Sequence, residues 1–172
     1  LADDKDIIFQ SDNGSGGTAT YFFLDGSAVN GSSVLGATVF PDKSKIYIGT
    51  SGDLEIFHNG SQTYIENYTG TFNITQHTND GDMLFKCDDG SGGATEYFRL
   101  DGGVVATIFP DNSKLQLGGG VSGDMRLFHD GSLSQIVNNT GDLQIVQFVD
   151  DGDIIFKSDD GSGGTAEYFR VD

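Results

Sequence analysis

The sequence predicts an all-β fold: an elongated tandem-repeat β-fibre, β-prism or β-solenoid like, closed as an intertwined homotrimer. Three observations lead there. First, the stretch DGDMLFKCDDGSGGATEYFRLD from Asp80 to Asp101 returns as DGDIIFKSDDGSGGTAEYFRVD from Asp151 to Asp172, and a looser copy, KDIIFQSDNGSGGTATYFFLD, runs from Lys5 to Asp25. Second, apolar and polar residues alternate inside the copies with a period of two, the mark of strands. Third, glycine supplies 26 of 172 residues, about double the usual share of roughly 7%. It clusters between short apolar runs as turn punctuation, without the G-X-Y period of collagen.

In chain order the repeats occupy 1–79 and 80–150, and a third begins at 151–172. Each opens with a hairpin module. Ile7, Phe9 and Ser11 point to one side and Ile8 and Gln10 to the other; Met83, Phe85 and Cys87 repeat this, as do Ile154, Phe156 and Ser158. In the returning strand Phe98 and Leu100 share a face opposite Tyr97 and Arg99. A bridge follows, ATVFPDKSKIYIG from Ala37 to Gly49 and ATIFPDNSKLQLG from Ala106 to Gly118. Pro41 and Pro110 suit position i+1 of a turn there. The last module is GDLEIFHNGSQTYIENYTGTFNI from Gly52 to Ile74, matched by GDMRLFHDGSLSQIVNNTGDLQI from Gly123 to Ile145. Asn59-Gly60, Asp130-Gly131, Asp89-Gly90 and Asp160-Gly161 suit primed hairpin turns. The copies differ in length only in Gly/Ser-rich loops, where insertions are tolerated. Roughly eight short strands per full repeat are expected, and no apolar stripe of helical period competes with them.

Strands this short cannot bury much alone. Several also carry apolar residues on both faces, as in Tyr21, Phe22, Phe23 and Leu24. Three chains packed as a prism, with sheets shared between them, would cover the second face and leave no open edges.

Charge narrows the partners. With 26 acidic against 9 basic residues the net charge is −17, which repels phosphate backbones and anionic lipid heads. Nucleic acid and membrane insertion are therefore not expected. The hydrophobic fraction of 36% in strand-sized runs argues against disorder. Cys87 is the one cysteine, so no intrachain disulfide forms; Ser11 and Ser158 stand in its place elsewhere, which marks a small inward or edge residue. No run reaches the length of a membrane span, and no signal peptide precedes Leu1. Opening without Met and stopping at Asp172, the chain reads as a piece of a longer protein.

FHNG at Phe57–Gly60 and FHDG at Phe128–Gly131, together with the paired DDGSGG-x3-YFR elements, resemble repeats in tail-fibre and other virion appendage proteins of marine bacteriophages. The resemblance covers Lys5 to Asp172. It implies a trimeric β-fibre on the virion, with a structural role and a distal tip that recognises the host surface. No tip is recognisable in this sequence.

Carboxylates pair at Asp3/Asp4, Asp88/Asp89, Asp150/Asp151 and Asp159/Asp160, a pattern that glycan hydrolysis requires. They sit beside turn glycines, however, where Asp binds its own backbone. Asp80-Gly81-Asp82 and Asp151-Gly152-Asp153 offer two carboxylates each, short of a calcium loop. His58 and His129 share one repeat phase at the ends of LEIFH and MRLFH. On alternation they lie with Leu54 and Ile56, or Met125 and Leu127, where three copies could surround an ion or the ring could cap the core through a backbone hydrogen bond. Glycosylation sequons at Asn13, Asn30, Asn59, Asn67, Asn73 and Asn138 largely coincide with turn signals. Tyr21, Tyr97 and Tyr168 recur in one position, near Arg99 and Arg170, as a ladder for sugar stacking or for cross-strand packing. The sequence thus assigns no catalytic residue, metal or cofactor. It predicts a shaft segment of a phage tail fibre or similar virion appendage whose partners are other copies of itself and other appendage proteins, with host glycan met through the distal tip. The alternatives are a secreted bacterial filament or adhesin and a glycan-degrading tailspike.

Overall fold

In the computed structural model, which describes residues 5–30, 33–34 and 36–172, every regular element is a strand. The chain divides into two compact units, Leu1–Thr75 and Gln76–Asp172. In the first unit β1 (Ile7–Asp12), β2 (Thr18–Asp25) and β5 (Ala37–Val39) form one antiparallel sheet. Short β3 (Val29–Asn30) and β4 (Ser33–Val34) pair with each other, and β6 (Ile46–Ile48), β7 (Leu54–His58) and β8 (Thr63–Asn67) make a second three-stranded sheet. The second unit repeats this plan. β9 (Met83–Asp88), β10 (Ala94–Asp101) and β11 (Ala106–Ile108) form one sheet, and β12 (Leu115–Leu117), β13 (Met125–His129) and β14 (Ser134–Asn138) another. A third hairpin, β15 (Ile154–Asp159) with β16 (Thr165–Val171), ends the chain. The expected all-β class is thus observed, in small antiparallel sheets.

Every hairpin module carries a β-bulge at the same tyrosine. Phe9 faces Phe22 and Gln10 faces Thr20, so Tyr21 has no partner; Tyr97 and Tyr168 are left out in the same way between Phe98 and Glu96 and between Phe169 and Glu167. The extra residue lets the strand change which side it presents. Cross-strand phenylalanines then stack: Phe9 on Phe22 at 4.4 Å and Phe22 on Phe40 at 5.6 Å, with Phe85, Phe98 and Phe109 at 4.4 and 5.7 Å.

Two expectations about turns are corrected, and one holds in a shifted frame. Asp89-Gly90 and Asp160-Gly161 do not form two-residue turns, because β9 pairs to Asp88 and β10 begins opposite it at Ala94, leaving the loop Asp89–Gly93; Asp160–Gly164 is its copy. At Asn59-Gly60 and Asp130-Gly131 the hairpins are tight, with Asn59 N–H on Gln62 O (3.0 Å) and Asp130 N–H on Leu133 O (3.1 Å); the glycine, at φ 102° and 94°, is the first central residue, the place where a II′ turn needs positive φ. Pro41 and Pro110 occupy position i, since Ser44 N–H donates to Pro41 O (2.8 Å) and Ser113 N–H to Pro110 O (2.9 Å). The reason is tertiary: the N–H that would close a turn one residue earlier, on Lys43 or Asn112, donates instead to the carbonyl of His58 or His129 at 2.7 Å. Strand number also differs, with β1–β8 in the first repeat but β9–β14 in the second. Thr71–Thr75 and 142–148, although they alternate as strands would, pair with nothing among the described residues.

No apolar side chain is buried among the described residues; the one buried charged residue is Glu55. The chain exposes 13346 Å² for its 18.3 kDa. A monomer of that mass exposes roughly 8,100 Å², and two independent domains of these sizes about 9,800 Å². Phe9, Phe85 and Phe156 each keep 40% or more of their surface open (44%, 41% and 46%). No helix long and apolar enough to cross a membrane occurs among the described residues.

Five non-glycine residues take positive φ among those described, and Val105 is the β-branched one. Val105, just before β11, has φ 55°, and the residue in that place before β5 is Gly36 at 63°. A β-branched residue there is strained, and Val105 is 91% exposed, so its side chain offers little packing in return. Val105→Gly should therefore raise the free energy of unfolding by about 0.5–1 kcal/mol, read as a higher urea midpoint. An unchanged or lower midpoint would show that the strain estimate is wrong.

Candidate functional site

The most elaborate polar arrangement lies where the proline turn meets the following sheet, and it is built twice. In the first unit His58, at the end of β7, brings Nδ1 to 2.8 Å from Asp42 Oδ1, while Gly60 N–H points at the same nitrogen from 3.2 Å. His129 repeats this with Asp111 at 2.9 Å and Gly131 at 3.1 Å. The nitrogen serves the carboxylate when it bears hydrogen and the Gly N–H when it does not, so the neutral ring satisfies one neighbour at a time. The expected backbone hydrogen bond to this histidine is present, but the ring engages the proline turn as well.

Above this turn lies a cleft of about 640 Å³ lined by Asp12, Thr20, Tyr21, Asp42, Lys43 and Tyr47 among others. Its copy in the second unit, about 320 Å³, is lined by Glu96, Tyr97, Pro110, Asp111 and Asn112. The bulge places Tyr21 and Tyr97 in the clefts, and serine ties turn to bulge: Ser44 Oγ donates to Tyr21 O, and Ser113 Oγ to Tyr97 O at 2.5 Å. Among the described residues neither these tyrosines nor Tyr168 stacks on another ring. Arg99 is engaged elsewhere, donating to Glu96 (2.9 Å) and Asp101 (3.2 Å), with Asp82 at 3.5 Å. Arg170 likewise lies between Glu167 (2.6 Å) and Asp153 (2.9 Å).

The paired carboxylates lie in turns. Asp88 Oδ1 accepts from Gly90 and Gly92 N–H, and Asp89 Oδ1 from Ser91 N–H and hydroxyl. One repeat on, Asp159 Oδ1 accepts from Gly161 N–H, and Asp160 Oδ1 from Ser162 N–H and hydroxyl and from Gly164 N–H. Asp151 holds positive φ in the turn closed by Gly152 N–H on Val149 O. Asp3 and Asp4 lie outside the described residues. Among those described, no three His, Cys, Asp or Glu residues come together as a metal site. Asn13, Asn59, Asn67 and Asn138 each bond to backbone of their own turn; Asn73 lies in an unpaired segment, and the side chain of Asn30 is not among those described. Cys87 is exposed on the edge strand β9.

A feature that single-repeat reading misses lies on the other face of the last module. Lys45 Nζ meets Glu55 Oε2 at 2.6 Å and sits 4.4 Å above the Phe57 ring. The Glu55 hydrogen bond holds the lysine ammonium above its usual range, against the opposing effect of burial. In the second unit the glutamate position is Arg126. Aligning the two modules would have exposed this reversal. Comparisons with protein-family models, with curated proteins and with solved structures returned no match.

Turn carboxylates carry a pH signature. Backbone N–H groups, Val104 first, hold Asp101 below its usual range with help from Arg99; Leu133 and Ser132 N–H do so for Asp130, and the Ser162 hydroxyl and N–H for Asp160. A carboxyl that titrates lower folded than unfolded contributes fully above the unfolded value of about 3.9. That contribution is lost as pH falls through the lower folded value. Unfolding midpoints should therefore fall on going from pH 5 to pH 2.5, and fall less in Asp101→Asn. Equal acid sensitivity in wild type and variant would remove Asp101 from this role.

Proposed function

We propose that this chain is a structural segment of a multi-chain β-fibre, a homotrimer in which repeated sheets of three copies cover one another. One observation carries the reading: among the described residues no apolar side chain is buried, although hydrophobic burial is the main force that holds small domains together. Phe9, Phe85, Phe109 and Phe156, recurring at one repeat position or beside it, would form a continuous seam once copies are added. The unpaired segments Thr71–Thr75 and 142–148 would find strand partners on neighbouring chains. Repetition of the sheets supports a role that depends on length. The FHNG and FHDG modules, through their resemblance to appendage repeats, favour the shaft of a phage tail fibre or similar virion appendage, holding a distal recognition element away from the particle.

The test is mass and concentration dependence. Native mass spectrometry should give three times 18.3 kDa, and the thermal midpoint should rise with protein concentration, as for any assembly whose fold depends on association. Phe85→Ser, which removes a ring 41% exposed in the single chain, should dissociate the assembly at concentrations where wild type is intact. A compact monomer with a concentration-independent midpoint sinks the fibre reading. Electron micrographs of particles carrying the protein would decide between virion and bacterial filament.

A further inference from the structure

The sheets β6-β7-β8 and β12-β13-β14 share one register and differ in charge at two facing positions. Tyr47 faces Glu55, and Glu55 faces Glu66, in the first; Gln116 faces Arg126, and Arg126 faces Val137, in the second. The lysine beside them is retained. Lys45 has its carboxylate at 2.6 Å. Lys114 instead reaches only the carbonyl of Asn112, at 3.3 Å, and makes no ion pair among the described residues. Its Nζ lies 5.3 Å from the centre of the Phe128 ring, and the Arg126 guanidinium carbon lies 5.8 Å from the same ring. Arg126 Nε–H is closed off from water and has no hydrogen-bond partner among the described residues. The carboxylate of Asp130, two residues beyond Phe128, accepts from Ser132 and Leu133 N–H and from Gln135.

Such an arrangement is out of balance. Buried donors are nearly always satisfied, and two like charges on one ring repel unless an anion lies between them. Lys43, Lys86 and Lys157 also make no ion pair among the described residues, but Lys114 and Arg126 are the two cations that meet at one aromatic ring with no carboxylate paired to either.

We propose that Lys114 and Arg126 form an anion site over Phe128 that takes a carboxylate supplied from outside the sheet. The first unit indicates the chemistry, because there a carboxylate, that of Glu55 at the register position of Arg126, pairs with the equivalent lysine, Lys45. With Nε closed off, the terminal Nη–H groups of Arg126 are the ones left to face the two oxygens of a carboxylate, beside the Lys114 ammonium. The carboxylate comes either from a free organic acid, such as an acidic sugar, or from an Asp or Glu of another copy of this chain.

Calorimetric titration of the full chain with sodium acetate and sodium glucuronate, at constant ionic strength set with chloride, separates these sources. A free acid is the source if either salt binds saturably and Lys114→Gln and Arg126→Gln each weaken it roughly tenfold or more. Another copy is the source if neither salt binds and both substitutions raise the concentration needed for assembly by a similar factor, while Lys86→Gln on β9 does not. Arg126→Glu serves as a folding control, because it rebuilds the Lys–Glu pairing of the first unit; it should abolish the anion response and keep the strand content. The inference is overturned if Lys114→Gln and Arg126→Gln behave like Lys86→Gln in both binding and assembly, or if chloride alone competes as well as acetate. A monomer that binds acetate through these residues would defeat the fibre reading and leave the anion site standing.

Discussion

The constraint on which everything else rests is that strands of two to eight residues, in sheets of two or three strands, cannot cover both their faces. A three-stranded sheet becomes independently stable only when something packs on its apolar side. Within each unit here that cover is missing: phenylalanines stack across strands at 4.4 to 5.7 Å and still keep much of their surface open. Stacking orders the rings without removing them from water, and the transfer term, about 25 cal/mol per Å² of apolar area, is only partly realised in one chain. A partner that covered these faces would have to supply apolar surface, and in the fibre proposed above another copy of the chain would supply it.

With so little core, local polar contacts carry the geometry. The loops after β1, β7, β9, β13 and β15 are each held by a side-chain oxygen that accepts backbone N–H groups two to four residues ahead, as at Asn13, Asn59, Asp88, Asp130 and Asp160. Such Asx contacts fix a turn without tertiary support. The proline turn then joins one sheet to the next through Lys43 N–H on His58 O and Asp42 on the histidine ring. The chain thus sets the course of its backbone by short-range hydrogen bonds and leaves its apolar faces to be satisfied later. Abundant Asp, Asn and Gly and scarce buried Leu or Val are two sides of that one arrangement.

This division explains what could be read from the amino acids. Alternation in Met83–Asp88 and glycine clustering after it reveal strands and turns, because both depend on neighbours in sequence. The bulge at Tyr97 could not be read, since YFR alternates as well with the extra residue as without it. Placing Pro41 at i+1 ignored the competing acceptor, the His58 carbonyl, which lies far along the chain. The polar cleft was foreshadowed by Tyr21 and Tyr97 but not by Asp42 or Ser44, whose role depends on the meeting of two sheets. Arg126 was legible in principle, as a charge reversed between copies, and its isolation became evident only when the neighbouring side chains were placed.

Differences between copies separate what the backbone needs from what a surface can vary. The capping aspartates, the bulged tyrosine, the proline turn and the histidine recur in kind wherever their module occurs. By contrast Phe23 becomes Arg99 and Arg170, Tyr47 becomes Gln116, and Glu55 becomes Arg126. All of these are sheet-face positions, where register is set by the backbone and the side chain is free to change character. The Glu55-to-Arg126 exchange goes further, because it replaces an internal ion pair with two cations while leaving strand pairing intact. A change that leaves a buried donor without a partner is unfavourable for the isolated sheet. The neighbouring positions change with it, Tyr47, Tyr64 and Glu66 giving way to Gln116, Gln135 and Val137, and under the anion-site proposal this altered face is where the second unit would meet a counter-charge that its own sheet does not contain.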